Sequence, residues 1–341
     1  MKILFLILIL IFFCKNVNSI DLFDTLFYNI EFTSNNIDED KLREINKVKI
    51  KSIVSIFKNT LSNEFFEEVN KSLDKDLINT FIKNIVINDE KIINDKYKSK
   101  IKVNYNKKRI IDFLRLKEIP YVEYHPDKIL LIIYEINKFE NNLFSINNQH
   151  YRYYNDNLSD NNFFQIPNLD INDRFILNEE SIVNKDFKKI NNFSKKYKSI
   201  ENMIVIANSN ENKVTYNLIL LSNGKILEKK LFFNKNEMDV FFQKLQYETI
   251  DLWKNIHQIQ NKTLNYLTCR IAYFNIMELK EIRNNLNKVS IINKLNIKNI
   301  SHKNIEYDIN YYGNLNILIK ILELNKLKIS YNKNECNIRL I

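Results

Sequence analysis

The chain has 341 residues, 45% of them hydrophobic and 12% aromatic, which is enough apolar mass for about two domains and excludes disorder over most of its length. Glycine occurs only twice and proline three times, so glycine-rich phosphate loops are excluded. The formal charge is +10 and the pI about 9.1, compatible with an anionic surface or polymer as partner; dispersed lysine in an AT-rich composition is the simpler source.

Residues 1–19 read as an export signal. Lys2 is followed by an unbroken apolar run, 3–13, and then by Lys15, Asn16, Asn18 and Ser19, with cleavage before Ile20. The run is well short of the ~20 residues a membrane-spanning helix needs. Cys14 follows the bulky Phe12 and Phe13, unlike a lipidated cysteine. Export from the cytoplasm is expected, with an uncleaved membrane anchor as the alternative reading. Cleavage removes Lys2 and Lys15 and no acid, taking the charge from +10 to +8. It leaves Cys269 and Cys336 of three cysteines. Two are too few for a disulfide scaffold or a zinc cluster, but they could form one bridge in an oxidising compartment.

Residues 20–127 read as an N-terminal α+β module. A strand is expected at 26–32 and helical stretches at 40–61 and 63–83, the first opening on Asp38, Glu39 and Asp40. In 96–105, Tyr97, Ile101, Val103 and Tyr105 alternate with Lys98, Lys100, Lys102 and Asn104, a strand with one wet face. Asn106 can cap a helix at 107–118 that Pro120 ends. Lys107-Lys108-Arg109 and Lys195-Lys196 read as solvated helix ends.

Residues 128–262 read as an α/β module closed by a long helix. The segments 128–134 and 203–207 are apolar at nearly every position, as in strands covered on both faces. Between them 141–182 reads as loop, rich in Asn and Asp, followed by a helix at 184–198. Strands at 214–221 and 225–233 flank Asn223-Gly224, a hairpin-turn signal. The helix 236–260 carries an apolar stripe with Trp253 beside it in the core and His257 at its surface.

Residues 263–341 read as strand 268–274, helix 276–287, strands 289–300 and 304–311, helix 315–325, and strands 328–331 and 336–340. The β-α-β-β-α-β order is the ferredoxin-like split motif. It would bring the last strand beside the first and Cys269 towards Cys336. The overall class is α+β, built from several small α/β modules.

The stretch 96–136, with its charged alternating strand, short helix, Ile119-Pro120-Tyr121 and very apolar strand, resembles the core of an exported proteobacterial family, domain of unknown function 2066. Ile166-Pro167-Asn168-Leu169-Asp170 with Asp173 is similar to that family's loop, and the block from Leu252-Trp253 to Leu324 to its tail. The resemblance implies export and an envelope location, and so release into a periplasm, with a signal anchor in the inner membrane or secretion as alternatives. It implies no reaction and no catalytic residues.

Two groups could carry chemistry. Asp170, Asp173 and Arg174 lie in the long loop, and paired carboxylates can serve acid–base or metal work; turn formation is the simpler reading. His150, Tyr151, Arg152, Tyr153 and Tyr154 form an aromatic and basic cluster suited to stacking on sugars or bases, or to anchoring a loop. His125, His257 and His302 have no partner at ligand spacing. No cofactor or metal motif and no specific nucleic-acid signature is present. The expected function is a non-catalytic envelope protein that binds a protein or cell-wall component. The alternative is a periplasmic hydrolase or small-ligand-binding protein using the Asp170/Asp173 loop.

Overall fold

A computed structural model describes residues 21–341 apart from 139, 159–162, 211–212 and 333–334. The expected export signal, with Cys14, lies outside the described residues. The fold is α+β. Eleven helices and fourteen strands in three sheets occur among the described residues. The chain divides into two units. One comprises 21–60, 66–124 and 259–341, so the expected N-terminal and C-terminal modules share it. The other comprises 61–65 and 125–258.

In the first unit, α1 (Ile37–Thr60) covers a sheet ordered β1 (Tyr28–Thr33), β3 (Lys96–Tyr105), β2 (Ile82–Ile93). Strand β3 alternates as its sequence requires, with Tyr97, Ile101 and Val103 fully buried and the lysines outward. Helix α1 buries Val48, Ile53, Ile56 and Phe57, each such side chain contributing about 1.5–3 kcal/mol. Phe57, Phe81 and Phe113 complete the layer, with ring centroids 5.3–6.5 Å apart. The stretch expected to be helical over 63–83 is instead α2 (Asn63–Ser72) and α3 (Lys75–Phe81), after which β2 begins directly. Strand β2 is mostly exposed, so it lacks the clear alternation that betrays β3. Helix α4 (Lys107–Leu116) starts on its Asn106 cap as expected.

The C-terminal segment supplies β10 (Leu264–Ala272), α10 (Ile276–Lys288), β11 (Ile292–Ser301), β12 (Asn304–Tyr312), α11 (Leu315–Leu324), β13 (Leu327–Asn332) and β14 (Glu335–Leu340). The sheet order is β11-β12-β10-β14-β13. The sheet departs from the expected split motif, because the strand beside β10 is the second of two terminal strands and runs parallel to β10. Strands β13 and β14 form an antiparallel hairpin, and β14 lies between β13 and β10, parallel to β10. Gly313 precedes α11 at φ 80°, a left-handed conformation that disfavours a side chain.

The second unit has β4 (Ile129–Ile136), β5 (Asn141–Leu143), β6 (Phe164–Gln165), β7 (Asn202–Asn210), β8 (Lys213–Ser222) and β9 (Lys225–Asn234). The order is β5-β4-β7-β8-β9, with β6 also on β4. Strands β4 and β7 are parallel; β4 is buried almost throughout, as its apolar run predicts. Asn223 and Gly224 sit at φ 49° and 73° and turn β8 into β9. The segment expected as loop over 141–182 contains β5, α5 (Gln149–Leu158), β6, α6 (Ile171–Ile176) and α7 (Glu179–Val183). These lead to α8 (Phe187–Lys196). Leu130, Ile132 and Tyr134 of β4 pack with Leu177, Ile182, Ile190 and Phe193 in one apolar core. Tyr151, Tyr216 and Phe241 are buried elsewhere in the unit, Phe241 on α9 (Met238–His257). Tyr216 stacks on Phe241 at 3.8 Å.

Candidate functional site

Asp170 is the N-cap of α6, in extended backbone, and its carboxylate accepts the Asp173 N–H at 2.9 Å. Asp173 has no exposed surface. It accepts Lys196 Nζ and Tyr197 Oη, each at 2.5 Å. Burial, and then the bond to this carboxylate, push the Tyr197 phenol up to about 12, so it stays a donor. Lys196 is therefore an ion-pair partner, not a solvated helix end. The Arg174 guanidinium donates through Nε and Nη2 to the Phe144 carbonyl at 3.3 and 3.2 Å. Asp170 and Asp173 hold α6 on α8 and present no paired carboxylates to solvent.

The 150–154 cluster lies on a helix, α5, and divides by its faces. His150 and Tyr151 are buried. His150 Nε2 is 2.9 Å from Tyr216 Oη, and Nδ1 is 3.6 Å from Glu135 Oε2. Tyr151 Oη accepts the Ile133 N–H at 2.7 Å. Tyr153 donates to Asp239 and stacks on Phe242 at 5.6 Å. Arg152 is exposed and bonds only its own helix start, at the Asn147 carbonyl, 3.4 Å away. The rings of His150, Tyr153 and Tyr154 pack against Phe241 and Phe242 of α9.

A second buried group joins Ser222, His257, Glu201 and Trp253. Expected at the surface, His257 is buried with 4% exposure, because its face of α9 is covered. Ser222 Oγ and Glu201 Oε1 lie 2.8 and 3.0 Å from the same nitrogen, His257 Nε2. Trp253 Nε1 also donates to Glu201 Oε1, at 2.7 Å. A nucleophilic triad needs serine and acid on opposite nitrogens of the imidazole. Here both crowd one nitrogen, and Ser222 is fully buried.

The polar groups that face an opening are elsewhere. A cleft of about 410 Å³ lies at the outer edge of β5, beside the carboxyl end of β4, where α/β layers commonly hold ligands. Its polar wall includes Asn142, Arg174, Asn178, Glu179 and Glu180, over Leu143 and Leu177. Asn142 is 8% exposed. Glu179 is steered by Tyr134, whose Oη donates to it at 3.0 Å. Asn178 is held as the cap of α7 by the Ser181 N–H. Of the residues singled out in sequence, Arg174 alone reaches the cleft. Asn142, Glu179 and Glu180 were missed, because in so asparagine-rich a chain Asn141-Asn142 and Asn178 resemble any other turn.

The lysine row of β3 is compensated by acids. Glu31 pairs with Lys96 at 2.5 Å and Lys98 at 3.3 Å, Asp89 with Lys100 and Asp24 with Lys102, both at 2.8 Å. The two lysines beside Glu31 lower its pKa. Cys269 and Cys336, opposite each other in the β10–β14 pair, form a disulfide with Sγ–Sγ 1.97 Å and Cα–Cα 4.5 Å. Among the described residues, no group of three or more His, Cys, Asp or Glu is placed to hold a metal. No described helix is long and apolar enough to cross a membrane. Comparison with protein-family models, with curated proteins and with solved structures finds no match.

Proposed function

We propose that the chain is an exported envelope protein that acts by binding, without catalysis, and that the β5–α6–α7 cleft receives a cell-wall component. The observation that carries this reading is the contrast in polar groups. Asp170, Asp173, His150, Ser222, His257 and Glu201 have partners within the second unit. Asn142 and Glu180 instead line the cleft. Export rests on residues 1–19, and the envelope on the likeness of 96–136 to the exported family. The hydrolase alternative loses support because Asp170 and Asp173 are committed to a helix cap and a buried ion pair.

Site-specific photocrosslinking tests the reading. A photoreactive residue in place of the exposed Asn141 is expected to capture an envelope component from membrane and cell-wall fractions, and an added Asn142→Asp change should reduce the yield. Equal capture from a photoreactive residue placed at exposed Lys280, or a turnover activity that survives Asn142→Asp, counts against it.

A further inference from the structure

We infer that the cleft takes an uncharged, hydroxyl-rich ligand of about one to two sugar rings, with an acetamido sugar as the best chemical match. This inference rests on the binding function proposed above. The volume, about 410 Å³, lies at the small end of the ~300–1,000 Å³ range of small-molecule clefts.

The donor and acceptor inventory sets the class. Arg174 only donates, and two of its N–H groups are already directed at the Phe144 carbonyl. Glu179 and Glu180 only accept when ionised, and Glu179 has one oxygen engaged by Tyr134. The Asn142 amide donates and accepts. A ligand that satisfies such a mixed set must itself donate and accept at neighbouring atoms, as hydroxyl and acetamido groups do. One guanidinium faces two carboxylates in the lining, so a phosphate or carboxylate meets net repulsion. Leu143 and Leu177 are 4% and 0% exposed and belong to the apolar core beneath the cleft, so recognition rests on its polar wall. Asn142, 8% exposed in the wall of the cleft, adds a group able both to donate and to accept.

The test uses the full chain, titrated by calorimetry and by saturation-transfer NMR with chitobiose. Glucose 6-phosphate serves as the anionic probe and spermidine as the cationic one. Chitobiose is expected to bind with Kd of about 1 mM. Glu180→Gln, at an exposed position that leaves folding intact, and Asn142→Asp should each weaken it about tenfold. No chitobiose binding up to about 10 mM, or binding indifferent to both variants, overturns the inference. If glucose 6-phosphate or spermidine binds instead, and does so in a manner sensitive to Glu180→Gln, the ligand class falls while the binding cleft stands. If no probe binds and photocrosslinking at Asn141 captures nothing, both fall.

Discussion

Asp173 and Glu248 show how single buried carboxylates stabilise the second unit. Replacing Asp173 by Asn keeps the shape but removes the charge that Lys196 and Tyr197 bond. We expect a loss of about 2 kcal/mol in denaturant unfolding, with binding in the cleft retained; loss of binding at unchanged stability would reveal a role at the site instead. Burial pushes the Glu248 pKa up, but the hydrogen bonds and charges of Lys229 and Lys244 outweigh it and hold it below 4.5. Its contribution is therefore complete above pH 4.5 and is lost as pH falls through the lower folded value. Glu248→Gln should flatten the acid limb of the melting-temperature profile, and an unchanged limb refutes the assignment. Burial drives the Tyr105 phenol the other way, from 10.0 up to about 12, with Ser52 opposing it. Its contribution is present below pH 10 and is lost as pH rises through about 12. Phenolate titration by absorbance, wild type against Tyr105→Phe, should show one late-ionising tyrosine fewer in the variant. At this scale the sequence reads the Asn106 cap correctly, and Asn275 and Asn314 cap α10 and α11 in the same way, each accepting the N–H three residues on. It misplaces His257, because an apolar stripe on α9 does not disclose how wide the covered face is.

Among the elements, α5 and β2 escape the sequence for one reason. Helix α5 reads QHYRYYNDNL, with tyrosines and asparagines that are poor helix formers. Its helicity comes from Tyr151 and Tyr154 packing inside the unit, a tertiary contribution that propensity cannot show. Strand β2 gains its place from pairing with β3, not from an amphipathic pattern. Strands β3, β4 and β12 were legible because each has a burial pattern matched by its own alternation or apolar run. The disulfide joins β10 to β14 across 67 residues. Closing a loop of that length is worth up to about 4 kcal/mol in the chain-entropy description. Cys269→Ala/Cys336→Ala should lower unfolding stability by up to that amount; an unchanged stability in oxidising buffer would show the bridge absent in solution.

For the whole molecule, the two units have different reporters. Trp253, the single tryptophan, belongs to the second unit, and the disulfide belongs to the first. Reduction should therefore move the far-ultraviolet dichroism transition and leave the tryptophan-fluorescence transition in place; equal shifts in both would mean that the units unfold as one. The class, the possible Cys269–Cys336 bridge and the covered strands of the second unit were readable from the chain. The cleft was not, since it is assembled from two short segments, 141–145 and 174–180, brought together by the β4–β5 pairing, the shared packing of Leu143, Phe144 and Leu177, and the Arg174 contact to Phe144. Hydrogen–deuterium exchange of the full chain with soluble cell-wall fragments tests the binding role most directly. Protection confined to 141–145 and 174–180 is the result expected. Protection elsewhere alone, or none under saturating fragments, contradicts it.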